Sequence, residues 1–447
     1  MSKRYMQLAA FCTQPGNHVA AWRHPEAATE KLLDMSFYKE FARTAERGLF
    51  DLIFMADTLS VSEEGGDDDE FKIGHGVPFR ADPLSAMAVM SAVTEHIGLV
   101  GTVSTSHNEP FNVARRFAFL DHLSRGRVGW NIVTTASRSE ALNFGARAFA
   151  PHDERYERAA EFVDVVIKLW DSWDEGAIVN DKTTGIYADS TKIRRIDHAG
   201  KYYSVRGPLN APRSPQGHPV LFQAGASEVG RAFAARTADA IFLAAQTREE
   251  ITATGSSIRK LAEASGRSGA DIRLLPGVLI FVGRTEEEAK EKQEKLAKLL
   301  LPEVGRALLR ELLGIDLGKY PLDGPFPEID STLIPGIQSR YLLLRSMATR
   351  EGLTLRGVMT RVASGAGHRI IVGDPKQVVD VLEDWFNAGI ADGYAVMWPY
   401  LPGCLNDFVD LVVPELRRRG LTRSRYEGVT LRDHLNLRPT ARNQYSK

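Results

Sequence analysis

The sequence is poor in the features that mark several large classes of protein. Its 447 residues include only two cysteines, Cys12 and Cys404, too few for a disulfide framework and typical of a reducing cytoplasm. Lysine and arginine number 56 against 57 acidic residues, so no long-range field favours nucleic acid or an anionic membrane. The apolar stretch at the N-terminus is far too short for a signal-peptide core or a membrane span. We therefore expect a cytoplasmic protein that binds neither nucleic acid nor membrane.

The motifs of several cofactor and metal sites are also missing. Neither Gly-x-x-x-x-Gly-Lys-Ser/Thr nor Gly-x-Gly-x-x-Gly occurs, which argues against a P-loop and a Rossmann dinucleotide site. The eleven histidines form no His-x-His or His-Glu-x-x-His pair, so we predict no metal centre. The acidic run 63–70 lacks EF-hand spacing, and a solvated loop is favoured there over a metal site.

What the chain does contain is a series of short apolar runs, several of them ending in a polar side chain and followed by a helix-like segment. Repeated strand and helix units build a parallel sheet covered by helices. We therefore predict an α/β fold, a (β/α)8 barrel of the TIM type enlarged by loop insertions. The predicted strands are 6–12, 50–57, 97–105, 127–134, 219–225, 238–245, 272–283 and 393–399.

The length beyond a minimal barrel falls in three segments, which we expect to be insertions into a single domain spanning 1–447. They are 58–82, 172–218 and 314–372. The third contains four prolines and two helix-like stretches, which predict a lid across the strand ends. Residues 285–313 are predicted to form one long helix with a charged face.

Polar side chains at the strand ends are candidates for holding a ligand, because ligands bind at the carboxyl ends of parallel strands. Asp57 could accept a hydrogen bond from a ligand or transfer protons, and it could equally cap the next element. Thr102 and Ser104 offer hydroxyls, although threonine is also common in strands for its β-propensity alone. Asn131 lies within a strand, where its amide needs a backbone or ligand partner, since an unpaired buried amide costs about 1–3 kcal/mol.

His152 and Tyr156 lie one helical turn apart at a predicted helix start, together with Arg155. Both side chains can project toward one point, and a helix N-terminus with these groups suits an anion. The alternative is an ordinary helix start that is capped by Asp153.

The segment Gln223-Ala-Gly-Ala-Ser227 is the sharpest single motif. Gly225 lets the backbone approach a ligand closely, and Ser227 with the following N–H groups could cradle a phosphate. The same residues also suit an ordinary turn from a strand into a helix.

Several longer motifs together resemble the group of bacterial-luciferase-like flavin monooxygenases that includes nitrilotriacetate and dibenzothiophene-sulfone monooxygenases. The match covers nearly the whole chain. The motifs that resemble this group are residues 50–57, 101–105, 109–115, 124–134, 152–156, 198–203, 206–210, 215–227 and 426–435.

The resemblance implies a luciferase-like barrel that uses reduced FMN (FMNH2) and O2 to oxygenate a small organic substrate through a C4a-peroxyflavin. It further implies a separate NAD(P)H-dependent flavin reductase, and we expect a homo-oligomer, either a dimer or a tetramer. By position, Tyr156 and Ser227 would lie near the FMN phosphate and Asn131 near the ring. The residues that the resemblance assigns to FMN are Asp57, Ser104, Asn131, His152, Tyr156 and Ser227, and Thr102 is added as a neighbouring candidate.

No residue is an obvious proton donor or acceptor for oxygen transfer. His18, His75 and His107 are candidates because they fall in or near strand-end loops, although a lone loop histidine is more often simply solvated. Two other functional classes stay open: a deazaflavin-dependent dehydrogenase on the same barrel, and a flavin-binding protein without catalytic activity.

Overall fold

The computed structural model describes residues 4–61, 73–135, 137–145, 151–225, 227–330, 338–365 and 367–440. The acidic run 63–70 and the last seven residues of the chain lie outside these ranges. In chain order the strands are β1 (Gln7–Phe11), β2 (Leu52–Met55), β3 (Gly98–Ser104), β4 (Val128–Val133), β5 (Ile178–Asp181), β6 (Ile186–Ala188), β7 (His198–Ala199), β8 (Ser204–Val205), β9 (Val220–Gln223), β10 (Ala240–Leu243), β11 (Arg273–Val282), β12 (Arg369–Gly373) and β13 (Gly393–Met397).

Helices follow most of the barrel strands and cover the outside of the sheet. The α-helices are α1 (Met35–Arg47), α2 (Pro83–Ser91), α3 (Pro110–Leu123), α4 (Arg138–Asn143), α5 (His152–Trp170), α6 (Glu228–Thr237), α7 (Arg248–Ala264), α8 (Glu286–Lys298), α9 (Pro302–Leu313), α10 (Gln338–Glu351), α11 (Leu355–Gly365), α12 (Pro375–Asn387), α13 (Gly403–Asp407), α14 (Val413–Arg418) and α15 (Leu431–His434). Within the described ranges, no helix is both long and apolar enough to cross a membrane.

The predicted (β/α)8 barrel is confirmed. Eight parallel strands follow one another around the sheet in the order β1, β2, β3, β4, β9, β10, β11 and β13, and β13 pairs with β1 to close the ring. Each of the eight coincides with a predicted strand. Their apolar sequences reflect their position, because the strands of a parallel barrel are covered on both faces.

The sheet contains one more strand than the sequence predicted. Strand β12 (Arg369–Gly373) pairs with Val278–Val282 of β11, beyond Pro276, where the pairing of β11 with β10 ends. Because β11 is ten residues long and β10 only four, the second half of β11 needs another partner on that side. The assignment of all of 314–372 to a lid was therefore wrong at its C-terminal end.

The single helix predicted over 285–313 is also wrong, since two helices occupy this range. Helix α8 ends at Lys298, and α9 begins at Pro302, which is its first helical residue. Proline lacks a backbone N–H and disfavours the helical conformation in the residue before it, so it can start a helix but rarely continues one.

The barrel interior and its outer layer have separate aromatic clusters. Inside, Phe54 packs on Phe11 at 5.3 Å and on Phe242 at 5.6 Å between ring centroids. Outside, Trp130 of β4 packs against Trp170 of α5 at 6.4 Å. Successive side chains of a strand point to opposite faces, so Asn131, next to Trp130, points into the barrel.

The insertion between β11 and β12 has a small hydrophobic core of its own, formed mainly by α9, α10 and α11. This core is separate from the main cluster around the barrel. Its buried members are Leu309, Leu313, Leu317, Phe326, Tyr341, Leu344, Met347, Ala348, Leu355, Val358 and Met359. The insertion at 172–218 is built differently, from the two hairpins β5–β6 and β7–β8.

The segment 421–437 closes the end of the barrel at which the strands begin. The backbone N–H of Met6 donates to Leu421 O at 2.8 Å, and Gln7 Nε2 donates to Leu435 O at 2.9 Å. Arg423 forms a buried ion pair with Asp51, the residue before β2. The start of the barrel and the last described part of the chain are thus bonded directly to each other.

Candidate active site

Three of the predicted site residues, Thr102 and Ser104 on β3 and Asn131 on β4, lie on neighbouring strands and face the interior. Thr102 and Asn131 are register partners on β3 and β4, and Asn131 Nδ2 donates to Thr102 Oγ1 at 2.9 Å. Thr102 in turn donates to Met55 O at 2.7 Å. Among the described residues, the buried carbonyl oxygen Asn131 Oδ1 has no hydrogen-bond partner. A buried amide oxygen without a partner is costly, and it marks a position where a ligand N–H would fit.

Ser104 belongs to a second group at the ends of β3 and β4. Its Oγ lies 2.7 Å from Thr135 Oγ1, and Arg155 donates a hydrogen bond to the backbone oxygen of Thr135. Thr135 and Arg155 line a cavity of about 570 Å³ together with His107. The His107 ring stacks on Phe144 at 4.5 Å between centroids, and burial lowers the pKa of His107.

A cradle at the start of α6 is formed by His152, Tyr156 and Ser227. The first two follow β4 and the third follows β9, so folding brings together residues that are far apart in the sequence. Ser227 caps this helix, accepting from Gly230 N at 3.1 Å, and His152 Nε2 lies 3.3 Å from Ser227 Oγ. A Cβ at Gly230 would lie 2.8 Å from the Tyr156 hydroxyl and 3.0 Å from Ser227 Oγ. The missing Cβ therefore leaves room between two hydroxyls at the positive end of a helix, which suits an anion.

Asp153 does not cap α5, so the alternative interpretation of that helix start was wrong. The N-cap is Pro151, which makes no side-chain hydrogen bond, and α5 begins at His152. The Asp153 carboxylate instead lies 3.0 Å from His152 Nδ1. It therefore orients the imidazole whose other nitrogen faces Ser227.

Asp57 lies half-buried after β2 beside two other carboxylates. The pKa of Asp57 is raised to about 6, chiefly by burial; the Thr58 N–H opposes this shift, the charges of Asp82 and Glu140 add to it, and Arg80 opposes it. Glu140 accepts a hydrogen bond from Thr58 Oγ1 at 2.9 Å. Sequence analysis missed Glu140 and Arg80, because neither lies at a strand end or in a recognisable motif. Asp57 is thus a carboxyl group that changes charge near neutral pH.

The other two histidine candidates do not join His107. His18 lies in the loop after β1, only 2% exposed, and its Nδ1 accepts from Ala20 N at 3.0 Å. Burial lowers the pKa of His18 to about 4, so this imidazole is neutral at neutral pH. His75 is half-buried, and its backbone oxygen accepts from Trp22 Nε1 at 2.9 Å.

A closed parallel barrel that carries a helix-start cradle and a buried amide oxygen without a partner at its strand ends has the architecture of a barrel enzyme, whose site lies at that face. Residues 15–392 match the family model described as luciferase-like monooxygenase. The chain belongs to this family and is a flavin-dependent monooxygenase, an oxidoreductase.

Relatives with assigned activities extend over nearly the full chain. Nitrilotriacetate monooxygenase component A from Aminobacter aminovorans is 45% identical over 98% of this chain and 97% of its own length. N-acetyl-S-(2-succino)cysteine monooxygenase from Bacillus subtilis (strain 168) is 43% identical over 100% of this chain and 99% of its own length. The crystal structure of DmoA from Hyphomicrobium sulfonivorans superposes with a TM-score of 0.89 at 36% identity, covering 97% of this chain and 92% of that one.

The residues at the strand ends fit a flavin mononucleotide. Its phosphate is an anion that the cradle at Gly230 can accommodate, and its ring edge offers an N–H group that an amide oxygen such as Asn131 Oδ1 can accept. The fit rests on two independent features, a space that a Cβ would fill and a buried acceptor without a partner.

The ionisation of Asp57 gives a testable pH dependence. If Asp57 acts as a carboxylate, kcat/KM falls on the acid side with a midpoint near pH 6. Glu140→Gln removes a neighbouring negative charge and moves that midpoint to lower pH, whereas Arg80→Gln moves it to higher pH. Initial rates from about pH 5 to about pH 8 measure the shift.

The exposed Glu287 on α8 provides the control, because Glu287→Gln removes a charge of the same sign elsewhere. Identical midpoints in all four proteins would show that the acid limb belongs to a group other than Asp57.

Proposed function

We propose that this chain is the oxygenating component of a two-component monooxygenase. It would bind reduced FMN made by a separate NAD(P)H-dependent flavin reductase and use O2 to oxygenate a small organic molecule containing nitrogen or sulfur. The cradle formed by His152, Tyr156, Ser227 and Gly230 is the observation that supports this proposal most strongly. Its geometry suits a phosphate monoester, the group that distinguishes FMN from riboflavin.

Each predicted residue then has a role toward FMN. Tyr156 and Ser227 would donate hydroxyl hydrogen bonds to the phosphate, with the N–H groups at the start of α6 beside them. Asn131 Oδ1 would accept from the ring edge, and Thr102 would fix the Asn131 amide through their hydrogen bond. Asp57, at the end of β2, would lie beside the ring as an acceptor whose charge depends on pH.

Bound reduced flavin supplies the two electrons that activate O2, so that one oxygen atom enters the substrate and the other leaves as water. The protein must keep bulk water and stray protons away from this reaction. The interior cluster of Phe11, Phe54 and Phe242 supports that role by closing the barrel below the site. We further propose that the helical part of the segment 314–372, before β12, covers the site as a lid, and its separate hydrophobic core would let it move as a unit.

We also propose that the chain works as a dimer or tetramer within one elaborated barrel domain. Exposed apolar side chains support an interface between copies. They include Phe119 and Leu123 on α3 and Val179 and Tyr187 on the hairpin β5–β6.

The decisive experiment supplies chemically reduced FMN and oxygen-18-labelled O2 with a panel of substrates. The panel contains aminopolycarboxylates including nitrilotriacetate, the thioether N-acetyl-S-(2-succino)cysteine, simple sulfides, sulfones and alkanes. We expect one labelled oxygen atom in a product or in its cleavage fragment, detected by mass spectrometry. A deazaflavin-dependent dehydrogenase would instead reduce or oxidise its substrate without label and without O2. Binding of FMN with no turnover of any panel compound would favour a non-catalytic flavin carrier.

A further inference from the structure

A large cavity lies between the barrel and the helical insertion, on the β10 and β12 side of the mouth. Its volume is about 780 Å³, which is the size of a site for a small organic molecule. The floor at Gln246 and Thr247 follows β10, and Ile370 of β12 forms one wall. Helices α9, α10 and α11 form the opposite side. We refer to this space as the arginine cavity.

The walls of the arginine cavity on the insertion side are largely apolar. They are formed by Leu308, Leu312, Leu343, Met347 and Val362. These side chains belong to helices α9, α10 and α11, next to the second hydrophobic core. An apolar wall of this kind favours a ligand with a hydrocarbon or thioether body over a fully hydrated ion.

Positive charge exceeds negative charge around this apolar wall. Four arginines, Arg248, Arg350, Arg361 and Arg369, line the cavity against two glutamates, Glu311 and Glu351, and Arg248 also pairs with Asp384 at 3.0 Å. Glu351 is bonded to two of the arginines at once, at 2.9 Å to Arg350 and 3.0 Å to Arg361. Since one carboxylate cannot neutralise two guanidinium groups, this cluster alone retains a net positive charge.

The arginine cavity adjoins the interior of the barrel at His368. His368, which lines the cavity, packs on Phe242 with ring centroids 5.2 Å apart. Phe242 in turn stacks on Phe54 inside the barrel. A molecule held in the cavity would therefore lie beside the barrel mouth, where the polar strand ends gather.

We propose that the arginine cavity binds the organic substrate, and that this substrate carries at least one carboxylate on an apolar body. The inference rests on the proposed function, because it assigns the substrate class to that reaction. Arg350 and Arg361 bind the carboxylate by charge-assisted hydrogen bonds, for which the planar guanidinium is well suited. The leucine-rich wall holds the rest of the molecule. Glu351 holds both arginines in place and lowers the affinity for anions below that of the arginines alone.

Direct binding in the absence of flavin tests this proposal. Calorimetric titrations use decanoate, adipate and nitrilotriacetate, each beside its methyl ester, which has the same body without the charge. We expect at least one carboxylate to bind about tenfold or more tightly than its ester. Arg361→Gln and, independently, Arg350→Gln each lower the affinity for that carboxylate by about fivefold or more and leave the affinity for its ester unchanged. Glu351→Gln strengthens carboxylate binding.

Arg425→Gln is the matched control, because Arg425 is 82% exposed and lies outside the cavity. The affinity for reduced FMN is the second control and stays unchanged in all variants. Equal binding of carboxylate and ester, wild-type affinity in both arginine variants, or a parallel loss of FMN affinity would each overturn the proposal.

The binding assay and the oxygenation assay fail independently. Carboxylate binding that depends on Arg350 and Arg361, without oxygenation of any bound compound, would leave the anion site standing and overturn the proposed reaction. Oxygenation of neutral compounds, with no carboxylate bound, would support the proposed reaction and overturn the anion site.

Discussion

The isolated chain is expected to consume NADH or NADPH at no useful rate, and to become active once a flavin reductase or chemically reduced FMN is supplied. No dinucleotide fingerprint occurs in the 447 residues. The described strand-end groups, namely the cradle at Ser227 and the amide of Asn131, suit a single flavin. Absorbance at the nicotinamide band, followed with and without a reductase, measures the effect. We expect the difference in rate to exceed about a hundredfold.

Two controls make this result interpretable. The reductase alone must consume nicotinamide without forming product, and photoreduced FMN must replace the reductase completely. Rapid consumption of NAD(P)H by the isolated chain with catalytic FMN would contradict the two-component proposal, since barrels can bind nicotinamide without a Rossmann turn.

Loss of the phosphate cradle is expected to weaken the binding of reduced FMN strongly. Ser227→Ala and Tyr156→Phe each remove a hydroxyl that would bind the phosphate, which costs about 1–2 kcal/mol of binding free energy. Gly230→Val has a larger effect, because even a Cβ would lie 2.8 Å from the Tyr156 hydroxyl and 3.1 Å from the Cα of Gly225. We expect this substitution to lower the affinity for reduced FMN by about a hundredfold or more. Anaerobic titrations of reduced FMN measure all three.

A loss of helix stability must be separated from a loss of phosphate contacts. Ser227 caps α6, so Ser227→Ala also removes a cap worth about 1 kcal/mol of stability. Thr285 caps α8 in the same way, accepting from Glu288 N at 3.2 Å, so Thr285→Ala is the matched control. Equal FMN affinities in Ser227→Ala, Tyr156→Phe and Thr285→Ala would exclude the cradle as the phosphate site.

The barrel was predictable because each of its eight strands is buried on both faces and is therefore apolar along most of its length. Strand β12 escaped prediction because its five residues, Arg369–Gly373, follow an irregular insertion and pair only with the far end of β11. Short apolar runs of this kind do not distinguish a strand from a buried part of a helix. The break at Pro302 was visible in the sequence, but the charge pattern of α8 hid it.

The site was predictable only where local sequence required an explanation. An amide between Trp130 and Ile132 in a buried strand, and a serine two residues after Gly225, stood out without any structure. Glu140 and Arg80 did not, because their effect on Asp57 comes from folding, which brings Glu140, 83 positions away in the sequence, and Arg80, 23 positions away, close to that carboxyl group. The arginine cavity is likewise formed by helices, loops and strands that no single sequence window contains.

The closure of the barrel between β1 and β13 constrains the order of events during biosynthesis. Strand β1 is made first, yet its partner β13 lies 386 residues later at the paired positions Gln7 and Gly393. The ion pair of Asp51 with Arg423 has a similar separation of 372 residues. One edge of β1 and the buried carboxylate of Asp51 thus lack their partners until β13 and Arg423 have left the ribosome. A nascent chain halted before residue 390 would expose an unpaired apolar edge, and such a chain is a natural client for a chaperone.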